Sequence, residues 1–505
     1  MTGSIKSTFR DSAIYGFGNT AVKLVGLVLI PIYTDKKYFS TEEFGIISML
    51  DISALLLLAL LAFSLPQSFT RWYWDKEHVH NQKGIFFITI TAQVLLSAAI
   101  CIVLLPFSGN ISTMLFRSAD LTKAISLLVG ATAVQAVNNP ITTLMRLQSK
   151  ATLYSVTNII KLVIVLVLTL WFILVKKMSV EGIYLAQLIG NSIFVVMLAP
   201  YTIRNCKPYF DLKILKEMNS YGFPLFIAGV AAVSLNVIDR YALNTWSVLR
   251  SVALYTLAVK LSSVIKLVLV DSVKLAILPS FFKKMDSPDN KKFYSKILTY
   301  TSLITMVSIV GVSLFSMEII KIISKSKDFW AAIAIVPVLS LSVFFTNMRE
   351  VTVYGLHIAK KTRIIGGVVV VATILSLILN IIFIPLWDIT GAAVATLLGQ
   401  LFYWLGCFIF AQKYFRVPYE MKKILILFIM GSLFAFSSLL LNDLALAIRL
   451  PLKFFLAFIF PVSLVIFSFY DRNELDAIQG FFRKWSKLSD LKINLQSLKN
   501  IKDED

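Results

Sequence analysis

The sequence predicts an all-α polytopic membrane protein: about fourteen transmembrane helices, in two pseudo-symmetric six-helix lobes plus two C-terminal helices. Three observations carry that expectation. Hydrophobic residues make up 57% of the 505 positions, and the mean hydropathy is +0.79, well above that of an ordinary soluble chain. The apolar runs are long enough to cross a bilayer, and short basic loops separate them. Parts of the pattern then recur in the second half of the chain.

The spans are read in order at 12–33, 44–66, 84–107, 121–147, 151–175 and 180–204. A second set follows at 218–242, 250–281, 294–316, 329–357, 362–386 and 388–415, and two more at 421–441 and 450–470. The N-terminus offers Lys6 and Arg10 before a long apolar run with no small-residue cleavage pattern, so the first span is expected to be retained. Beyond Tyr470 the chain turns charged. There Leu475, Ile478, Phe482, Trp485 and Leu488 recur at helical spacing among Arg483, Lys484 and Lys487, which suits either an amphipathic helix on a lipid surface or a solvated tail.

The net charge of +21 does not point to nucleic acid, because most cations sit in short loops, where they set topology. One set of loops, with the N-terminus, holds about 23 Lys and Arg, against about a dozen in the other set. Both termini are therefore expected in the cytoplasm, and no opposite loop is long enough to form an external domain.

The repeat is visible in particular residues. Tyr15-Gly16-Phe17 returns as Tyr221-Gly222-Phe223. At nearly the same separation Gly182, Ala186 and Gly190 return as Gly391, Ala395 and Gly399, and Asn138 and Leu147 return as Asn347 and Leu356. This divides the chain into an N-terminal lobe at 1–205, a C-terminal lobe at 206–418, two appended helices within 419–472 and a tail at 473–505. In such repeats the substrate site usually lies between the halves.

Charges inside the spans are the main functional signal. Asp239 and Arg240 end one apolar run, and Lys260, Lys266, Asp271 and Lys274 punctuate the next. Each charge at the centre of a lipid-exposed helix costs about 2.5–3.5 kcal/mol, so four on one helix imply a polar interior. Lys23, one turn after Asn19, lies in mid-span, as do Asp51 and Lys161, while Arg349 and Glu350 fall late in a span and count among its charges, with simple wetting near the span end as the alternative. Asp271 and Lys274 are expected to pair. Lys260 shares a face with Lys274, whereas Lys266 points elsewhere on a regular helix. Basic residues outnumber acids in this set, and a basic cavity attracts anions and repels cations. Asp51 and Asp239 are the carboxylates that could bind a coupling ion, with a structural role as the alternative. Pro140, Pro224 and Pro337 are candidate kinks.

Catalytic chemistry finds no footing. His78 and His80 point to different helix faces, no phosphate-cradling glycine loop is present, and no cofactor or metal site is indicated. Cys101 and Cys407 lie in apolar runs and Cys206 in a basic loop, so no disulfide framework is expected.

The opening stretch YGFGNTAVKLVGLVLIPIYTDKKYFSTEEFGIISML, with its turn at 34–45, resembles bacterial polysaccharide (O-antigen) flippases of the multidrug/oligosaccharidyl-lipid/polysaccharide exporter superfamily. SFTRWY at 68–73, IDRYALNTWSVLRSVALYTLAVKL at 238–261 and IPLWDITGAAVATLL at 384–398 agree with it, whereas Lys36–Tyr38 departs from the usual pattern. The resemblance implies a V-shaped flippase in the bacterial cytoplasmic membrane. Its cargo would be an undecaprenyl-pyrophosphate-linked oligosaccharide, the repeat unit of O-antigen, capsule or exopolysaccharide. It would work by alternating access, in contact with membrane lipids and polysaccharide polymerase machinery. A cavity carried over from the family falls on Lys23, Asp239, Arg240, Lys260 and Lys266, with Arg71 and Arg146 weighted lower. A lipid II or drug exporter of the same superfamily is the alternative, and a membrane glycan polymerase or ligase is a more remote one.

Overall fold

The computed structural model describes residues 26, 28–271, 287 and 289–476. Lys23, Tyr15-Gly16-Phe17, Lys274 and the tail pattern beyond Asp476 lie outside the described residues. What is described is helical, with no strand. Among the described residues twelve helices are long and apolar enough to cross a membrane, and one of them holds two crossings, so every predicted span but the first is accounted for.

In the N-terminal half the spans are α1 (Thr41–Ala62), α3 (Gln82–Leu104), α4 (Thr122–Leu147), α5 (Ala151–Leu170) and α6 (Val180–Met197), with the short α2 (Leu65–Tyr73) prolonging α1. A capping box starts α1: the Glu43 amide donates to Ser40 Oγ at 3.1 Å, and the Ser40 amide donates to Glu43 Oε2 at 2.7 Å. Left-handed Phe63 and Ser64, followed by Pro66 at the start of α2, turn the chain between them. The sixth predicted span, 180–204, is in fact two helices. Pro200 begins a new turn at Ala199–Asn205, because proline supplies no amide to continue the first.

The C-terminal half contains α7 (Leu212–Leu235), α8 (Ile238–Trp246), α9 (Leu249–Ile265), α10 (Asn290–Leu314), α11 (Val336–Thr352) and α12 (Thr362–Tyr414); α13 (Met421–Leu441) and α14 (Leu446–Ser463) follow. The predicted span 218–242 also needs correction. It begins earlier, where Asp211 caps Lys213 and Ile214, and it stops at Leu235, so Asp239 and Arg240 open α8 rather than end α7. Pro140 and Pro224 lie inside α4 and α7, whereas Pro337 sits in the first turn of α11 and starts that helix instead of kinking it. A π-helical turn, Lys266–Val270, extends α9.

α12 reverses at Asp388, whose φ of 47° is left-handed, leaving an arm at 362–387 and a returning arm at 389–414. Ser247 Oγ and Ser251 Oγ donate to its carboxylate at 2.6 and 2.8 Å. Gly391 lets the returning arm pass the first, since a Cβ there would run into the Phe383 carbonyl. Gly182 permits a similar approach of α6 to Phe172, whose Cβ would lie 2.9 Å from an added Cβ.

The halves are sealed together at the end opposite the Lys/Arg-rich loops. One core joins Phe44, Ile47 and Tyr184 to Val252, Phe329 and Ile335, with the Phe44 and Phe329 rings edge-on at 5.4 Å. Around it Lys36 pairs with Asp328 at 2.8 Å, Thr41 donates to Asp328 at 3.2 Å, and Asn244 donates to the Leu115 carbonyl at 2.7 Å. Toward the basic end the halves meet through α7 against α2, where Ser68 donates to the Met218 carbonyl at 2.8 Å. α14 is tied on from both ends. Near the sealed end buried Lys453 and Arg449 hold Glu318 at 2.9 and 2.7 Å. Burial alone would raise the Glu318 pKa, but the hydrogen bond from Lys453, with the charges of Lys453 and Arg449, brings it below the ordinary value. At the basic end Lys296 contacts Glu420, Asp471 and Glu474 at 3.1, 2.6 and 3.1 Å, and Lys423 contacts Asp471 at 2.7 Å.

This packing is testable at two glycines and at Asp471. Gly391→Ala should lower stability by roughly 1–3 kcal/mol, read as the melting of detergent-solubilised protein. Gly367→Ala, where an added Cβ meets open space, should instead gain about 0.5–1 kcal/mol. Hydrogen bonds from Lys296, then Lys423, hold the Asp471 carboxyl down at about 2. Its stabilising contribution is therefore complete above the ordinary carboxylate range and disappears as pH falls through about 2. The melting temperature of wild type should exceed that of Asp471→Asn at neutral pH, and the gap should close at the acid end of the titration.

Candidate functional site

Directly on the basic side of the seal lies a cavity of about 120 Å³, lined by α7 through α9, α11 and the returning arm of α12. Asn236, Asp239, Arg240, Lys266, Arg349 and Gln400 supply its polar wall. A neighbouring cavity of about 280 Å³ shares Ser263 and Lys266 with it and adds Lys260, Asp271 and Gly26. Together the described walls hold four cations, Arg240, Lys260, Lys266 and Arg349, against the carboxylates of Asp239 and Asp271.

Asp239 is a saturated carboxylate. It is 4% exposed, and Tyr255 Oη and Thr396 Oγ1 donate to Oδ2 at 2.5 and 3.2 Å. Oδ1 accepts the Arg240 amide at 2.8 Å and Arg240 Nε at 3.4 Å. Arg240 also donates to the Asn236 carbonyl, exposed because α7 has already ended there. The break before α8 thus does two things. It places Asp239 in the first turn of a helix, where a negative charge is favoured, and it frees a carbonyl that fixes Arg240. Asp239 pairs with Arg240 and orients its guanidinium at the cavity wall.

Lys260 sits across from the N-terminal half, its ammonium 5.4 Å from the centre of the Phe44 ring. Asp51 of α1 accepts a hydrogen bond from Tyr184 Oη at 3.1 Å and lies within electrostatic reach of both Lys260 and Arg240. Tyr241 and Ser53 share a 2.7 Å hydrogen bond beside it. A charge interaction between the halves therefore lies just beneath the seal.

Three sequence readings change here. Lys266 does not point away from Lys260's cavity: the open space wraps round two faces of α9, and both side chains line it. Arg349 is not merely wetted. It lines the first cavity, held 4.3 Å over the Tyr403 ring and paired with Glu350 at 2.6 Å. Arg71 and Arg146 line neither of these cavities. Arg71 is exposed and stacks 4.3 Å from the Tyr221 ring at the α2–α7 contact, and exposed Arg146 donates to Thr143 at 3.1 Å. Lys161 lies within the N-terminal half, 4.8 Å from the Phe194 ring. Tyr255, Thr396 and Gln400 were not singled out from sequence, because neutral polar residues carry no distinguishing signal in an apolar helix.

A family model described as a polysaccharide biosynthesis protein matches residues 38–333. An uncharacterised membrane protein of Methanocaldococcus jannaschii is 24% identical over 228 residues, and the match spans 45% of this chain and 45% of that relative. Among solved structures, a lipid II flippase, MurJ, in an inward closed conformation gives a TM-score of 0.73 at 17% identity, covering 89% of this chain and 98% of its own. An inward-facing multidrug resistance MATE family transporter of the MOP superfamily gives 0.65 at 13% identity, over 82% and 95%. A MOP superfamily transporter from Pyrococcus furiosus, with a binding pocket described as of reverse polarity, gives 0.56 at 15%, over 81% and 95%. At these identities the likeness to solved structures is one of fold.

The network around Asp239 makes its own prediction. Asp239→Ala would strand the Tyr255 and Thr396 hydroxyls and remove the charge neutralising Arg240, at a cost of about 2–4 kcal/mol in thermal stability. Arg71→Ala, which removes an exposed ring contact, should cost about 0.5–1 kcal/mol in the same measurement.

Proposed function

This chain belongs to the polysaccharide biosynthesis protein family and has the fold of the MOP-superfamily transporters, and from that premise we propose that it flips an undecaprenyl-pyrophosphate-linked oligosaccharide across the bacterial cytoplasmic membrane. The observation that supports this reading is the lining of the cavity: Arg240, Lys260, Lys266 and Arg349 converge beneath the seal, and among the described lining residues the carboxylates are Asp239 and Asp271. A pyrophosphate needs such partners to leave water, and a cationic drug would be repelled by them. Lys23, from the first span, would add a fifth cation. Neutral polar groups such as Asn236, Ser262 and Gln400 suit sugar hydroxyls without fixing which glycan is carried.

In this reading the basic end and both termini face the cytoplasm. Residues 1–205 and 206–418 rock against each other, with 419–472 and the 473–505 tail appended. The cavity opens toward the leaflet where lipid-linked repeat units are made, while the Phe44–Phe329 seal closes the far side. Asp51 gives the cycle its coupling. In the sealed state it compensates Lys260 and Arg240 across the halves. An arriving pyrophosphate competes for the same cations, loosens that attraction and favours the alternate state. A ligand shifts a conformational equilibrium only through such differential contacts. Polymerase machinery on the far side would receive the flipped unit. No step in this cycle calls for a catalytic residue.

The test is complementation of a bacterial strain lacking its own polysaccharide flippase. Wild type should restore surface polymer, and Arg240→Gln, Lys260→Ala and Lys23→Ala should each reduce it roughly tenfold or more at equal membrane abundance, the loss of one charge-assisted contact. Unimpaired variants would remove the cationic path. A wild type that restores no polymer but raises drug resistance would overturn the reading.

A further inference from the structure

The two arms of α12 enclose a groove on the outer surface of the C-terminal half, away from the cavity between the halves. It has a volume of about 430 Å³ and an almost wholly apolar wall, including Ile364, Gly367, Val371, Leu375, Phe402 and Phe410. Gly367 forms part of its floor, since an added Cβ there would meet nothing within 4 Å. From Ile364 to Leu375 a helix rises about 16 Å. The hydrocarbon of one leaflet is about 15 Å deep, so the groove runs the depth of a single leaflet.

Its mouth is cationic. Lys360, Lys361 and Arg363 flank the start of the first arm and Lys413 and Arg416 the end of the second, all exposed. Lys361 and Lys413 come from opposite arms and converge on the Tyr414 ring, at 5.4 and 6.0 Å from its centre. Among the described residues no carboxylate pairs with any of these five. The neighbouring basic end differs: Lys296 and Lys423 are occupied by Glu420, Asp471 and Glu474. Topology signalling alone needs cations in a loop, but neither their convergence nor a groove behind them. The first turn of α12 adds its own attraction for an anion, because Lys361 provides no side-chain cap there.

We propose that groove and mouth form a binding site for an anionic glycerophospholipid of the leaflet at the basic end, with one acyl chain in the groove and its phosphate between Lys361 and Lys413. The charge of the mouth selects an anionic headgroup, and the one-leaflet length selects an acyl chain. A polyprenyl tail is far longer than a leaflet and would leave most of its length outside. The lipid braces the α12 hairpin from the outside while the opposite face of the returning arm presents Thr396 and Gln400 to the cavity. The site rests on the chain spanning a membrane and is independent of its cargo.

The experiment uses the full chain, delipidated in detergent and titrated with phosphatidylglycerol or with phosphatidylcholine of the same acyl chains, counting retained lipids by native mass spectrometry. Wild type should retain phosphatidylglycerol at least about tenfold more tightly than phosphatidylcholine, the scale set by two lysines near an anionic phosphate. Lys361→Gln/Lys413→Gln, a surface change that leaves the fold untouched, should abolish that preference. Gly367→Leu, which fills the open groove, should release both lipids without lowering the melting temperature. Equal retention of the two lipids by wild type would overturn the proposal, as would unaltered phosphatidylglycerol retention in both variants. Tighter retention of a polyprenyl phosphate than of phosphatidylglycerol would overturn the assigned occupant.

Discussion

A charge inside a bilayer has to be compensated or wetted, and the architecture around Arg240, Lys260 and Lys266 follows from that requirement. No single span can shield three such cations from lipid, so helices from one half wrap them and the other half covers the remaining side. Within the wrap, compensation is uneven. Asp239 is committed to Arg240 by a short bond from Tyr255 and a longer one from Thr396, whereas Lys260 meets an aromatic face and the more distant charge of Asp51. The cations at the centre of the molecule are therefore held unequally, Arg240 closely and Lys260 at a distance.

The location of the seal gives this leftover charge a direction. Phe44, Phe329 and their neighbours close the end away from the basic loops, and hydrogen bonds and ion pairs around Asp328 surround them. Apolar packing there excludes water, so the electrostatics beneath it are felt more strongly than they would be in solution. Asp51 lies at the border between the two regimes, tied to Tyr184 in its own half and drawn toward the cations of the other. The attraction between the halves thus lies directly beneath the apolar packing that joins them.

Much of this was legible in the sequence, for a physical reason. A lysine or aspartate in an apolar run is so costly that its presence alone marks a polar interior, which is how Asp239, Arg240, Lys260 and Lys266 stood out. The reversal of α12 was legible too, because Pro385 and the polar Asp388 interrupt an otherwise continuous apolar run. What stayed hidden depends on the third dimension. The break at Asn236 carries no proline or glycine, so nothing local separates it from a helix interior. Arg349 sits near a helix end, where sequence cannot tell a wetted arginine from one held over Tyr403 at the wall of a cavity. Arg71 and Arg146 had the right charge, but their positions at span ends left them on the surface.

The repeat supplies the last step. Gly182 and Gly391 correspond in sequence, and each allows a helix to cross its neighbour closely, once in each half. Yet among the described residues the halves do not treat charge alike: Arg240, Lys260, Lys266 and Arg349 all belong to the second half, and the first faces them with Asp51. Two halves of similar backbone but different charge have a built-in polarity that a symmetric pair would lack. The repeat thus shapes the two backbones alike, whereas the charge that lines the cavities sets the halves apart.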